Sequence, residues 1–292
     1  MRDHDFLFQG SSESGQNRSG SDGPFGQSRS GSDSSFGQSR SGSDSSFGQN
    51  RSGSDGPFGQ ERLQDCGRHR ELLIELKGVS KSLDEKCILH RLNVQIPRNR
   101  IIGLAGRNGS GKSTLLKLMA GIWKPDEGRI FRYTKRISYL MPRDIFYRWM
   151  RVRDAVQFYQ SHYQNFASEK ACGLIENMGF DRKTLLRKLS DGQRELLMLI
   201  LAICVESELY LLDEPLTGAD AAFKRDVRRF LMEYLPEGAS IVMATHLLRD
   251  FEQLFDQILF LDHGKIVEKD TEELRETCGM SVEQYYLERF RK

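Results

Sequence analysis

Residues Gly106–Ser113 read Gly-Arg-Asn-Gly-Ser-Gly-Lys-Ser, and this octet decides the fold. Before it runs a short apolar stretch ending in glycine, RIIGLAG from Arg100 to Gly106, which suits a buried strand. After it comes KSTLLKLMAGI, Lys112 to Ile122, with the spacing of a helix. G-x-x-x-x-G-K-[S/T] between a strand and a helix is a phosphate-binding loop. Gly106, Gly109 and Gly111 let the backbone curl and turn its N–H groups inward. The loop feeds a helix N-terminus, whose partial positive charge favours anions. Lys112 reaches β- and γ-phosphates, Ser113 can place a hydroxyl on Mg²⁺, and Thr114 adds a further phosphate contact. Asn108 and Ser110 complete the loop residues expected to hold the nucleotide.

Downstream, Leu209-Tyr-Leu-Leu-Asp213-Glu214-Pro215 is an apolar strand ending in two carboxylates. Open α/β sheets bind ligands at the carboxyl ends of their strands. Asp213 is placed there to hold Mg²⁺ through water, and Glu214 to polarise an attacking water as general base. Taken alone the same residues also read as a strand ending in a solvated acidic turn; the phosphate loop upstream favours the first reading. LLIELKGVS (from Leu72) and LNVQIP (closed by Pro97) read as strands, after which strands and helices alternate. That rhythm implies a mostly parallel sheet flanked by helices.

The N-terminal part is different. Residues 1–69 are rich in Ser, Gly, Asp, Gln and Arg, with Phe25, Phe36, Phe47 and Phe58 each followed by Gly-Gln in an 11-residue repeat. One Phe per unit cannot build a stacked repeat, so the tail is expected to be disordered. It reads either as a dispensable low-complexity extension or as a Phe-Gly and Arg tail that tethers a partner. Over the 292 residues the net charge is only +2, too even for a nucleic-acid binder, and no nucleic acid is expected as a partner. The longest apolar run, Leu196–Val205, suits a core helix and not a membrane span of ~20 residues. The first residues, MRDHDFLFQG, lack the apolar stretch of a secretory signal. Five scattered cysteines read as reduced thiols of a cytoplasmic protein.

Leu189-Ser190-Asp191-Gly192-Gln193 resembles the LSGGQ signature of ABC (ATP-binding cassette) ATPases, with Asp in the third place. It stands just before LLDEP. Leu216-Thr217-Gly218-Ala219-Asp220 then resembles the family's D-loop, and His246, after the strand SIVMAT, resembles its switch histidine. Four ordered motifs make the resemblance specific over roughly residues 72–270. It implies a P-loop NTPase of ABC type: a mostly parallel core sheet, a small antiparallel β subdomain and a helical subdomain over about 144–190. The cassette would span 70–280, followed by a C-terminal helix over 281–292. Phe158–Phe180 resembles the helical subdomain of ABC-2-type export ATPases.

The resemblance also implies ATP with Mg²⁺ and two cassettes packed head to tail, as a homodimer. Each ATP would lie between one phosphate loop and the opposed Ser190, Gly192 and Gln193. Asp220 would organise the opposed site and His246 would contact the γ-phosphate. Hydrolysis, with Glu214, His246 and Lys112 as the catalytic set, would energise a separate transmembrane permease, placing the chain at the inner face of the cell membrane. Each residue has a plainer reading: Ser190 as a helix cap, His246 as a structural group, Asp220 as the start of a helix. A soluble ABC ATPase without permease and a binding-only regulatory cassette are the competing functions. A generic kinase leaves LSDGQ unexplained.

Two places depart from the family pattern. Where many members carry an aromatic to stack on adenine, KSLDEKC offers Leu83. Where the family has its Gln-loop, Tyr139-Leu-Met-Pro142-Arg143-Asp144 has no Gln, and the Arg143 guanidinium has no lone pair for a metal. The aromatics Phe146, Tyr147, Trp149, Phe158 and Tyr159 read either as a docking surface for the permease or as helical-subdomain core. SVEQYYLERFRK reads as an amphipathic helix with a Ser281/Gln284 capping box.

Overall fold

The computed structural model describes residues 71–141, 145–216 and 221–290. The repeats of residues 1–69, Pro142–Asp144 and Thr217–Asp220 lie outside the described residues. Strand β1 (Leu72–Leu83) and β2 (Lys86–Pro97) pair as a hairpin, and β4 (Glu127–Arg132) adds antiparallel to β1. Both strands run longer than their apolar patterns suggest. Ser82 pairs with Cys87 and Leu83 with Lys86, since backbone pairing needs no apolar side chain. The turn at Asp84-Glu85 takes left-handed backbone at both residues, the geometry that suits a two-residue hairpin.

The larger sheet has the order β5-β6-β7-β3-β8-β9. β5 (Ile137–Leu140), β6 (Leu209–Asp213), β7 (Ser240–Ala244), β3 (Ile101–Ala105) and β8 (Gln257–Asp262) run parallel; β9 (Lys265–Asp270) closes the edge antiparallel. Alternate side chains enter two separate cores. Tyr210, Leu212, Ile241, Met243, Ile258 and Phe260 join the core that contains α4 (Asp191–Ile203), α5 (Ala221–Tyr234) and α8 (Val282–Phe290). Leu209, Leu211, Val242, Ala244, Leu259 and Leu261 join the core of α1 (Lys112–Ala120) and the three-stranded sheet. Burial on both faces explains why these strands read as unbroken apolar runs.

Helices α2 (Val152–His162) and α3 (Ser168–Asn177) add Val152, Ala155, Val156, Ala171, Leu174 and Ile175 to the first core. In α4 every residue from Leu196 to Ile203 is buried, which accounts for the longest apolar run. Each such Leu or Ile stabilises the fold by about 1.5–3 kcal/mol over its exposed state. Two short helices, α6 (Leu248–Phe251) and α7 (Thr271–Cys278), complete the assignment, and α8 packs Tyr285, Tyr286 and Phe290 around the Phe260 ring at 5.2–6.2 Å. Its capping box is formed in both directions: Ser281 N donates to Gln284 Oε1 at 2.9 Å, and Gln284 N to Ser281 Oγ at 3.1 Å. Cys87, Cys172 and Cys204 are free thiols, and burial pushes the Cys204 thiol up to about 12. Among the described residues no helix is long and apolar enough to cross a membrane.

Parallel strands deliver their carboxyl ends to one edge of the sheet. There β3 ends before Gly106, β6 at Asp213-Glu214, and β7 before Thr245-His246. Three segments far apart in sequence thus meet at one place.

Candidate functional site

The octet turns from β3 into α1 through backbone that only glycine allows at two points. A Cβ on Gly106 would stand 2.5 Å from Leu261 O. Gly111 has φ 106°, and a Cβ there would meet Ile88 Cγ2 at 2.7 Å. Gly111 is also the N-cap of α1, and no side chain caps that helix, so its first amides are left for a ligand. Asn108 and Gly109 are exposed at the loop's crown; Lys112 and Thr114 are buried. Ser110 Oγ is buried with no hydrogen-bond partner among the described residues. Within the loop the Ser110 amide donates to Arg107 O at 3.0 Å. An uncapped helix N-terminus beside an orphaned hydroxyl fits an anion that brings its own acceptor oxygens.

Asp213, fully buried at the end of β6, receives two hydroxyl donors. Ser113 Oγ donates to Oδ1 at 3.0 Å and Tyr139 OH to Oδ2 at 3.1 Å. Burial pushes its carboxyl above the usual carboxylate range, while those two bonds pull the other way. Tyr139 is the residue sequence reasoning missed. Its signal was a matter of parity: β5 pairs Tyr139 with Leu211, two residues before Asp213, so all three face the α1 side.

Glu214 follows in left-handed backbone (φ 50°), unusual for a non-glycine residue, held by its amide donating to Ala244 O at 2.9 Å. This turn aims its carboxylate back at the loop. Glu214 Oε1 lies 3.5 Å from Lys112 Nζ, and His246 Nδ1 donates to Oε2 at 2.7 Å, since a carboxylate can only accept. Lys112 Nζ also donates to Gly106 O at 2.9 Å and to Arg107 O at 3.4 Å. Lys112, Ser113, Asp213, Glu214 and His246 therefore form one connected group beneath the loop.

The signature segment lies outside that group. Ser190 is the N-cap of α4: its Oγ accepts from Gln193 N at 3.1 Å, while Ser190 N donates to Gln193 Oε1 at 2.9 Å. Gly192 is buried behind them, and exposed Asp191 pairs with Arg194. The bonds of Ser190 and Gln193 thus close on each other. Asp220 lies outside the described residues.

Leu83 is half-buried at the end of β1, with Asp84-Glu85 exposed beyond it, and offers apolar contact without an aromatic face. The five aromatics divide between their two readings. Phe146 and Tyr159 are buried and Phe158 packs on Phe146 edge-on at 5.4 Å; Tyr147 and Trp149 stack on each other at 5.8 Å with 69% and 68% exposure. The chain passes from the buried Phe146 to an exposed run over 147–149, which makes the split and which a count of aromatics does not reveal.

Residues 89–217 match the family model of the ABC transporter. The chain is similar to the ABC transporter ATP-binding protein YtrB of Bacillus subtilis, 31% identical over 216 residues that cover 70% of this chain and 74% of that protein. It is similar also to the daunorubicin/doxorubicin resistance ATP-binding protein DrrA of Streptomyces peucetius, 28% identical, covering 72% and 68%. Among solved structures, the ATP-binding subunit of an ABC transporter superposes with a TM-score of 0.65 at 22% identity, covering 74% of this chain and 98% of the other, a likeness of fold.

Proposed function

The chain belongs to the ABC transporter family, as an ATP-binding subunit whose ATPase activity energises a separate membrane permease, and we propose that it works as one half of a two-fold pair closed by two ATP molecules. The observation that carries this reading is the asymmetry of its motifs. The phosphate loop, Asp213, Glu214 and His246 are gathered into one site, whereas Ser190 and Gln193 form a second helix N-terminus outside it. A site assembled from both needs a second cassette.

In this proposal the amides of Gly106–Gly111 and Ser110 Oγ receive the phosphates, while Thr114 adds a contact and Asn108 flanks the loop's mouth. Lys112 exchanges its bonds to Gly106 O and Arg107 O, and its pairing with Glu214, for β- and γ-phosphate oxygens. Ser113 Oγ and Asp213 Oδ1, 3.0 Å apart, are hard oxygen donors of the kind magnesium takes. When bound, that ion supplies positive charge to the phosphate oxygens. Glu214, relieved of Lys112, orients a water and takes its proton as the water oxygen bonds to the γ-phosphorus and the bond to ADP breaks. His246 moves from Glu214 to the γ-phosphate. The signature of the second cassette, Ser190 with the Gly192 and Gln193 amides, neutralises charge from the opposite side, and Asp220 organises that junction.

Loss of the γ-phosphate removes what joins the halves, so they part. The closing and opening biases the permease between two states. Residues 70–280 act as the cassette, with about 144–190 as its helical subdomain, at the inner face of the cell membrane through the permease. The test is oligomeric state: Glu214→Gln with ATP and Mg²⁺ elutes as a dimer by size exclusion with light scattering, and reverts to monomer in EDTA. A monomer under both conditions sinks the proposal.

A further inference from the structure

The chain lacks the Gln by which its family's loop after β5 senses the metal, and Arg143 in that loop has no lone pair to substitute. Tyr139, in β5 just before that loop, donates to Asp213 Oδ2 at 3.1 Å. We propose that Tyr139 is a positioning residue for the metal-side carboxylate: its phenol holds Asp213 in the direction that presents Oδ1 to the metal, and ties β5 to metal occupancy. This rests on the reading of Asp213 and Ser113 as the magnesium-holding pair.

Three elements converge on one carboxylate. Oδ1 of Asp213 meets Ser113 from α1, and Oδ2 meets Tyr139 from β5, at 3.0 and 3.1 Å. Asp213 is fully buried, so water does not supply Oδ2 with another donor, and a buried carboxylate oxygen without one is costly. The register makes the contact unavoidable: Tyr139 lies beside Leu211 and Leu140 beside Leu212, which sends the phenol forward along β6 to Asp213. A phenol hydroxyl is a hydrogen-bond donor, and an ionised carboxylate can only accept, so the bond runs from Tyr139 to Asp213. Tyr139 stands three residues before Pro142, so a turn of the Asp213 carboxylate toward an incoming metal pulls directly on the end of β5.

The test is a Mg²⁺ titration of the full chain as wild type, Tyr139→Phe and Ser113→Ala, read by binding of trinitrophenyl-ATP and by steady-state ATPase. Tyr139→Phe keeps the ring that packs beneath α1 and removes only the hydroxyl. It raises the half-saturating Mg²⁺ about tenfold, the scale of one hydrogen bond to a charged group. Its nucleotide affinity in EDTA stays at the wild-type value, and kcat at saturating Mg²⁺ falls less than the half-saturation shifts. An unchanged Mg²⁺ requirement in Tyr139→Phe beside a shifted one in Ser113→Ala overturns the role of Tyr139 and leaves the metal site standing. No shift in either variant overturns both. Equal loss of affinity with EDTA and with Mg²⁺ marks general loosening and also overturns it.

Discussion

The two helix N-termini at the phosphate loop and at the signature segment are built in opposite ways. Helix α1 begins at Gly111 with no side-chain cap, behind a loop whose one buried hydroxyl, Ser110 Oγ, has no partner. Helix α4 begins at Ser190 with a complete capping box, which answers the Ser190 and Gln193 amides. The first end is shaped by a glycine-dependent loop; the second is partly answered by its own side chains. In the proposed pairing, the difference means that a single chain carries one end open to a triphosphate and a second surface that becomes a site only when another cassette presents a ligand to it. In the single chain Ser190 acts as the cap of α4, and its contact with a phosphate belongs to the proposed pair.

The sharpest way to separate chemistry from binding at the α1 end is Glu214→Gln. Hydrolysis should fall by ~10²–10⁴-fold, the range for a lost general base, while ATP still binds. Unaltered turnover would show that another group takes the water's proton. Next in size is the α4 end. Ser190→Arg should bring the homodimer's ATPase to background, and mixing it with Lys112→Ala should restore part of it. Each mixed pair contains one composite site with both halves intact. If mixing restores nothing, the two ends do not meet across a pair. Smallest is Ser190→Ala, which removes the cap and leaves room for phosphate. It should cost the empty chain about 1 kcal/mol, or about 2–4 °C in Tm for a domain of this size. A larger loss, measured by calorimetry without nucleotide, would mean that Ser190 supports more than its own helix.

Much of this was legible before any coordinates. The octet was legible from its spacing of glycines, Lys112 and Ser113; that a side chain at Gly106 or Gly111 would strike Leu261 O or Ile88 appeared only in the structure. Ser190 as a helix cap and the Ser281/Gln284 box are read within a single helical turn and needed no tertiary information; that Gln193 completes a box at Ser190 came from the structure. Tyr139 was quoted within its loop but not understood, since its partner Asp213 lies 74 residues away and the bond depends on β5 lying beside β6. The aromatics from Phe146 to Tyr159 held two readings open because exposure at neighbouring positions depends on what packs against them: Phe146 is 8% exposed, Tyr147 69%. Glu214's double engagement by Lys112 and His246 was invisible for the same reason.

By itself the sequence determined where a phosphate loop is written, which carboxylates end a later strand and where helices begin. Glycine conformations, caps and apolar runs act over a few bonds and are written where they act. Only the tertiary structure decided the order β5-β6-β7-β3-β8-β9, and with it that Tyr139 and Ser113 share one buried carboxylate while Lys112 and His246 share the next. Parallel strands pair across long crossovers, and continuous apolar runs buried on both faces carry no local mark of which strand lies beside which.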